Sequence, residues 1–161
     1  MLEQRRHLIA SMTASVPSRK RTEHTMGKRR RAREFALQVL YQLDIRKERA
    51  EEVLHQFWKE NDVEKEVQNF TNILVKGVEE KRSEIDKLLS EYALNWDLSR
   101  MSVVDRNILR LGSLEILFLK EIPFAVSINE AIELAKSFGT DDSFKFINGI
   151  LNRVKDVSPP P

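Results

Sequence analysis

The feature that most constrains the fold is the segment over residues 102–120, which is apolar on nearly every side. Ser102 and Asp105 form a Ser-x-x-Asp capping box, which predicts that a helix begins there. Ten of the residues from 103 to 119 are large and apolar, too many to lie on one face of a helix. Charged side chains interrupt the run well before the ~20 apolar residues that a bilayer requires. The segment therefore predicts a helix at the centre of a bundle.

The rest of the chain predicts amphipathic helices around that centre. Apolar residues recur at helical spacing, and no segment alternates with period two for long enough to predict a strand. With only 5 Gly and 5 Pro and with 32% charged residues, the composition also favours helix. The predicted fold class is all-α, with seven helices over about residues 28–44, 50–59, 62–78, 83–92, 102–120, 128–138 and 141–154.

Capping residues predict several of the helix boundaries. Asn61 and Ser127 each stand three residues before a glutamate, which is the spacing of a capping box. Gly139 is a natural end for the sixth helix, and Thr140 is a natural cap for the seventh. We expect each of these residues to mark a helix end.

The chain is electrically polarised although its net charge is only +2. Residues 1–33 contain ten Lys and Arg against two Glu, whereas residues 34–161 contain seventeen Lys and Arg against twenty-three Asp and Glu. A basic end on an acidic body predicts an anionic partner that is held at that end.

The domain boundaries follow from changes in composition. Residues 1–25 show no helical periodicity and include Pro17 and a basic run over 19–21, which predicts a disordered basic extension. A transit peptide is the alternative, because the segment is also poor in acidic residues. Met26 offers a second plausible start. The folded domain is predicted over residues 26–157, and residues 158–161 form a Pro-rich tail that cannot continue a helix.

The sequence contains no motif that predicts an enzyme. A phosphate-binding loop, a His-Glu-x-x-His motif, a glycine-rich dinucleotide turn and a credible Ser/His/Asp set are all absent. The chain has no cysteine, which excludes thiol nucleophiles and cysteine-based metal sites and is compatible with a reducing cytoplasm. We therefore expect no enzymatic activity, no metal, no cofactor and no membrane span.

The strongest local feature is a basic cluster at the start of the first predicted helix. Five of the six residues from 28 to 33 are cations: Lys28, Arg29, Arg30, Arg31 and Arg33. Cations at a helix N-terminus oppose the macrodipole, so a bound anion would stabilise this helix start. Basic clusters bind phosphates through counterion release, which makes nucleic acid the predicted partner. A solubilising or targeting run is the alternative.

A helical wheel predicts an outer face on the first helix, opposite its apolar stripe. That face carries Arg30, Arg31, Glu34, Gln38 and Tyr41. A tyrosine among arginines fits a stacked base or a docked protein. A tyrosine at the edge of a bundle is the plainer alternative.

The last predicted helix offers a second candidate surface near its N-terminus. Asp142 and Phe146 lie on a stripe that is rotated away from the apolar stripe of Ile147. Ser143 and the first amides of the helix are available to an anion, and Lys145 adds positive charge. This arrangement predicts a binding site for single-stranded nucleic acid. The alternative is that Phe146 is a residue at the edge of the core.

Three stretches, taken in order along the chain, together form a recognisable pattern. The first is RRAREFALQVLY over residues 30–41, and the second is VDRNILRL over 104–111 followed by Glu115. The third includes Ile122-Pro123, INEA over 128–131, ELAK over 133–136, and positions from 142 to 151 such as Lys145-Phe146. Together they cover about residues 28–154 and resemble the family of the bacterial transcription antitermination factor NusB.

The resemblance implies a seven-helix fold of two small bundles and a protein without enzymatic activity. NusB-family proteins bind the BoxA element of nascent RNA together with NusE, a small-subunit ribosomal protein, and help RNA polymerase read through terminators. The implied RNA contacts fall on Arg29, Arg30, Arg31, Arg33, Asp142, Lys145 and Phe146. The implied NusE contacts fall on Tyr41 and Asp105. A cytoplasmic location and a place in the RNA polymerase antitermination complex follow from the same resemblance.

Two other functions fit the residues. NusB-like domains also occur fused to ribosomal RNA cytosine methyltransferases, although this chain is expected to be too short to carry such an enzyme. A helical protein-interaction module accessory to ribosomal RNA processing or methylation, without RNA specificity of its own, is the remaining alternative. Salt-dependent binding to a BoxA-like RNA distinguishes it, because a pure protein adaptor would show none.

Overall fold

The structure is a computed structural model of the chain and describes residues 24–93 and 97–159. The α-helices in those ranges are α1 (His24–Arg46), α2 (Ala50–Glu60), α3 (Lys65–Tyr92), α4 (Val103–Phe118), α5 (Phe124–Phe138) and α6 (Ser143–Val157). A 3₁₀ helix, Leu98–Arg100, precedes α4. The described ranges contain no strand, which confirms the all-α class. Predictions for residues 1–23 and 160–161 fall outside the described ranges.

The predicted third and fourth helices are one continuous helix, α3, so the described residues hold six α-helices instead of the predicted seven. The charged stretch over residues 79–84 interrupts the apolar pattern, which is why the sequence predicts two helices. Glu, Lys and Arg are good helix formers, and no proline or glycine lies there to end the helix. Val78, Ile85 and Leu89 are fully buried and continue one stripe across the charged stretch.

The helices form two groups of three that pack against each other. α1, α2 and α3 contact one another, as do α4, α5 and α6, and α4 also contacts α1 and α3. The predicted central helix is confirmed, because every residue from Asn107 to Ile116 in α4 is buried. Gly112 permits the close approach of α6, since a Cβ atom there would lie 2.7 Å from Leu151. No helix in the described ranges is both long enough and apolar enough to cross a membrane.

α1 is buried on more sides than the helical wheel predicts. Gln38 is 4% exposed and Tyr41 is 8% exposed, so the prediction of an outer face carrying these two residues is wrong. α1 packs against α2, α3 and α4, and a wheel drawn from one apolar stripe does not anticipate neighbours on three sides.

α1 and α4 run antiparallel, with ion pairs at both ends. In the N-terminal half of α1, Arg33 pairs with Glu115 near the end of α4. Near the end of α1, Asp44 pairs with Arg106 near the start of α4. We call these two ends of the molecule the Glu115 pole and the Asp44 pole. The ten helical steps from Asp105 to Glu115 separate them by about 15 Å.

Two of these four capping predictions hold and two do not. Ser102 Oγ accepts from the Asp105 amide at 3.0 Å, and Gly139 ends α5, so both predictions are confirmed. Asn61 instead caps the end of α2, where its Nδ2 donates to the Phe57 carbonyl at 3.0 Å. The prediction for Ser127 is also wrong, because α5 already begins after Pro123 at the N-cap.

The helix start predicted at Thr140 is displaced by two residues. Asp142 occupies the N-cap position of α6, and no side chain caps that helix. Thr140 supports the turn instead, because its amide donates to Ser143 Oγ at 2.9 Å and its carbonyl accepts from the Ser143 amide at 3.1 Å.

Asp44 joins three helices at the Asp44 pole. Its carboxylate accepts from Arg82 of α3 at 3.2 Å and from Arg106, Asn107 and Arg110 of α4 at 2.9, 3.0 and 3.1 Å. Burial raises the pKa of Asp44, but the hydrogen bond from Arg106, the charge of Arg110 and the hydrogen bond from Asn107 together hold that pKa below its ordinary value. The carboxylate is therefore ionised at neutral pH and ties α1 to α3 and α4.

Candidate nucleic-acid interface

Two cations of the basic cluster bind carboxylates inside the Glu115 pole. Arg33 is 3% exposed, and its Nε and Nη2 donate to the Glu115 carboxylate at 3.0 and 2.7 Å. Arg30 donates in the same bidentate way to Glu130 at 3.0 and 2.9 Å. Ser127 donates to Glu115 at 3.2 Å. Removing Arg33 would leave the buried Glu115 carboxylate without a cation, and removing Arg30 would leave Glu130 only the 4.0 Å contact with Arg33, so these ion pairs hold α1 against α4 and α5.

Lys28 and Arg31 face solvent and have exposed partners. Lys28 Nζ lies 3.1 Å from Glu66 and Arg31 Nη1 lies 3.1 Å from Glu64, and all four side chains are more than a third exposed. A hydrogen bond with its own backbone, and then the charge of Arg31, lowers the pKa of Glu64, which keeps its carboxylate ionised. Exposed ion pairs contribute only about 0–1 kcal/mol, so a phosphate can replace either glutamate.

Arg29 is exposed and lies over an aromatic ring instead of a carboxylate. Its Cζ lies 4.6 Å from the centroid of the Phe70 ring, which is a cation–π contact. The ring orients the guanidinium without neutralising it, and no carboxylate of the described residues forms an ion pair with it. Lys28, Arg29 and Arg31 form what we call the exposed cation group.

The second predicted surface lies at the Asp44 pole, where α6 begins. Asp142 and Lys145 are exposed, and Phe146 is half-buried against the core. Ser143 is 3% exposed, and its Oγ donates to Asp105 at 3.1 Å while it accepts from the Thr140 amide at 2.9 Å. The Ser143 hydroxyl is therefore part of the packing between α4 and α6 and is not presented to an anion.

The two residues with an implied protein partner also lie at the Asp44 pole. Tyr41 stands one turn before Asp44 on α1, and Asp105 stands next to Arg106 on α4. Asp105 Oδ1 is buried and accepts no hydrogen bond from the part of the chain that the structure describes. Asp105 is therefore a half-buried carboxylate with one acceptor position still unused.

The structure does not bring the two predicted nucleic-acid surfaces together. The exposed cation group precedes Arg33 on α1 and lies at the Glu115 pole, whereas Asp142, Lys145 and Phe146 lie at the Asp44 pole, so the two surfaces are at least about 15 Å apart along α4. One small ligand cannot contact both surfaces, but a nucleic-acid strand of several nucleotides can.

Sequence reasoning missed the buried partners of the basic cluster. Glu115 lies inside the apolar central segment, where a carboxylate indicates a buried ion pair, and this signal is available from the sequence. Phe70 beneath Arg29 depends on how α1 and α3 pack, and no local pattern indicates it. The described residues contain no cluster of His, Asp or Glu that could hold a metal ion.

Comparison of the sequence with known proteins places the chain among antitermination factors. The sequence model of the NusB family matches residues 30–156. Transcription antitermination protein NusB of Myxococcus xanthus is 46% identical over 133 residues, which cover 80% of this chain and 95% of that protein. The protein of the same name from Streptomyces griseus is 43% identical and covers 83% of this chain and 96% of its own length.

Solved structures have the same arrangement of helices. T. maritima NusB superposes with a TM-score of 0.76 at 42% identity, covering 82% of this chain and 93% of that one. NusB from a crystal structure of antitermination factors NusB and NusE with double-stranded RNA superposes with a TM-score of 0.75 at 29% identity, covering 82% and 98%. Sequence and fold agree over nearly the whole length of these relatives, and the chain belongs to the NusB family.

Proposed function

We propose that this protein is a transcription antitermination factor. It binds the BoxA element of nascent ribosomal RNA together with NusE and helps RNA polymerase read through terminators. Membership in the NusB family supports this function, as does a structural neighbour solved with NusE and double-stranded RNA. Within this chain, the observation that carries the proposal is the exposed cation group, whose present partners a phosphate can replace.

RNA first meets the exposed cation group at the Glu115 pole. Phosphate oxygens replace Glu66 and Glu64 as the partners of Lys28 and Arg31. Binding is favoured because the charge-assisted hydrogen bonds to phosphate and the release of counterions contribute more than the weak surface ion pairs that are lost. Arg33 is assigned a structural role because it is buried on Glu115. Arg30, whose side chain is 26% exposed and bound to Glu130, lies at the edge of the RNA surface.

A second RNA contact is made at the Asp44 pole by Phe146 and Lys145. The half-buried ring of Phe146 stacks on a base, and the exposed ammonium of Lys145 attracts the neighbouring phosphate. Asp142 repels phosphate at the same place and limits the affinity. A strand of several nucleotides spans the separation of about 15 Å between the poles.

NusE binds at the Asp44 pole beside Asp105 and touches the small exposed part of Tyr41, which is otherwise buried in the core. Asp105 Oδ1 accepts no hydrogen bond from the described residues but is buried, so a donor from the partner reaches it only when the side chains around it move on binding. Ser143 donates to the other oxygen of the same carboxylate and fixes its orientation. The partner surface thus adjoins the second RNA contact, which places NusE and RNA side by side.

The protein acts without an enzymatic activity of its own. Its contribution to the RNA polymerase antitermination complex is binding, and it works in the cytoplasm, where ribosomal RNA is transcribed. The family is one of transcription factors, which supports both statements.

Charge reversal of the exposed cation group tests the RNA surface. A Lys28→Glu, Arg31→Glu variant should bind BoxA RNA at least tenfold more weakly, because each lost phosphate contact removes a counterion-release step. The slope of log affinity against log salt should fall by about 0.7 for each lost contact, or about 1.4 in total. Fluorescence anisotropy at several salt concentrations measures both effects.

The control for this experiment reverses a cation elsewhere. Lys76→Glu reverses one exposed cation in the middle of α3, between the position that contacts Ala32 and the position that contacts Asp44, and should leave the salt slope unchanged. A Lys28→Glu, Arg31→Glu protein that is folded and keeps the wild-type slope would refute the RNA surface.

A further inference from the structure

An open pocket of about 120 Å³ lies between the start of α1 and the turn that joins α4 to α5. Its apolar wall consists of Ile122, Pro123 and Val126. Ile122 is buried, but Val126 is 36% exposed and is one of only four large apolar side chains that remain exposed among the described residues. The pocket therefore presents uncovered apolar surface directly beside the exposed cation group.

The polar groups around the pocket carry both signs of charge. Arg29 lies on one side, held over the Phe70 ring. Glu130 also lines the pocket, but Arg30 occupies both of its carboxylate oxygens. Glu121 is exposed and makes no side-chain hydrogen bond or ion pair with the described residues. Arg33 also lines the pocket but is paired with Glu115, so Arg29 is the cation and Glu121 the acceptor that remain available beside the apolar wall.

This combination disfavours a phosphate inside the pocket and favours a planar group with N–H donors. The unpaired carboxylate of Glu121 repels an anion, and the apolar wall offers it no hydrogen bond. A nucleobase fits both features, because its face packs on apolar side chains and its edge donates to an acceptor. The surrounding cations attract the phosphates on either side of such a base.

We propose that this pocket takes one unpaired base of the bound RNA and that Glu121 accepts a hydrogen bond from the exocyclic amino group of that base. The proposal rests on the proposed RNA-binding function and assigns a specificity-determining residue to it. Carboxylates accept hydrogen bonds from the N4 amino group of cytosine, whereas uracil carries a carbonyl oxygen at the same position. Glu121 therefore favours cytosine over uracil, and Val126 contributes affinity for either base.

Binding of 12-nucleotide oligocytidylate and oligouridylate to the full-length protein at neutral pH tests the assignment. These two probes have bases of the same size and differ in the group at position 4. Wild type should bind oligocytidylate roughly tenfold more tightly, as expected for a hydrogen bond to a charged group. Glu121→Gln should bring the ratio of the two affinities close to one, because the amide can either accept from cytosine or donate to uracil.

Matched variants separate the pocket from general electrostatics. Glu91→Gln removes one exposed carboxylate on α3 and should tighten both oligonucleotides equally, leaving their ratio at the wild-type value. Val126→Ser should weaken both by about threefold through lost apolar contact, whereas Val157→Ser, at a valine that is 47% exposed and does not line the pocket, should weaken neither.

Each outcome supports or overturns the base pocket. A ratio that is unchanged in Glu121→Gln, together with normal binding by Val126→Ser, would refute it. If Lys28→Glu, Arg31→Glu still weakened both oligonucleotides in that case, the RNA surface would stand without the pocket. If Val126→Ser abolished NusE binding and left RNA binding intact, the pocket would belong to the protein partner. Absence of binding by wild type to both oligonucleotides and to BoxA RNA would overturn the pocket and the proposed function together.

Discussion

At the scale of single residues, the position of a cation on α1 decides its role more than its charge does. Arg33 and Arg31 are two residues apart, yet one is buried on Glu115 and the other lies in solvent beside Glu64. On a helical wheel Arg33 falls about 60° from Ala36, within the apolar stripe, so its burial can be predicted from spacing. A basic cluster at a helix start therefore contains both structural and ligand-binding residues.

Phe146 gives a test at this scale, because it is half-buried and is also assigned to RNA. Phe146→Ala should reduce the free energy of unfolding by less than the roughly 3–5 kcal/mol typical of a fully buried aromatic residue. RNA binding should weaken by about 1–3 kcal/mol through the loss of a stacked base. Denaturant unfolding and an RNA titration measure the two quantities separately.

Phe57 on α2 provides the control for that substitution, because it is also half-buried and lies outside both proposed RNA contacts. Phe57→Ala should destabilise the protein to a similar extent and leave RNA binding intact. Normal RNA binding by folded Phe146→Ala would show that Phe146 contributes to packing only and does not contact RNA.

At the scale of helices, sequence patterns predict the elements well and their ends less well. The central helix follows from its apolar composition, and Ser102 caps it as predicted because no other group competes for its hydroxyl. Ser127 has the same local signal, but its hydroxyl binds Glu115 across the helix interface. Tyr41 lies in the core because α1 packs against three other helices. The sequence of one helix does not show how many helices will pack against it.

Asp44 gives a test at the scale of helices, since it ties α1 to α3 and α4. Asp44→Asn should reduce the free energy of unfolding by roughly 3 kcal/mol at pH 7, because Arg106 loses its counter-charge and Arg110 keeps only Asp86. The pKa of Asp44 is lower in the folded protein, so its stabilisation is complete above the unfolded pKa, near pH 4. It is lost as the pH falls through the folded pKa.

The difference in stability between wild type and Asp44→Asn should therefore be constant from about pH 5 to 7 and shrink below about pH 4. Urea unfolding at a series of pH values measures it, with Asp62→Asn as a control at an exposed aspartate on the surface. A difference that stayed constant down to pH 2 would show that the charge of Asp44 does not stabilise the fold.

At the scale of the whole molecule, the antiparallel pairing of α1 and α4 sets the geometry of the site. That pairing places the exposed cation group and the Phe146 surface at opposite poles. The sequence identifies the residues of both surfaces but not their separation, which depends on tertiary packing. Two contacts about 15 Å apart should act independently on a bound strand, since sites more than 7–10 Å apart usually contribute additively.

Additivity is measurable with a triple variant. The loss of RNA-binding free energy in Lys28→Glu, Arg31→Glu, Phe146→Ala should equal the sum of the losses in the charge-reversal and Phe146→Ala variants within about 0.5 kcal/mol. RNA titrations at one salt concentration provide all three values. A coupling energy well above 1 kcal/mol between the two sets of substitutions would show that they act on one continuous RNA-binding site, in conflict with the separation of the poles.

Joint recognition of BoxA RNA and NusE is the central claim, and titration of the protein into fluorescent BoxA RNA, with and without NusE, tests it most directly. An RNA of the same composition in shuffled order serves as the reference. We predict tighter binding to BoxA than to the shuffled RNA and a further gain when NusE is present, because both partners contact the Asp44 pole. The Lys28→Glu, Arg31→Glu variant should keep its affinity for NusE and lose RNA. Equal affinity for the two RNAs, unchanged by NusE, would contradict the claim.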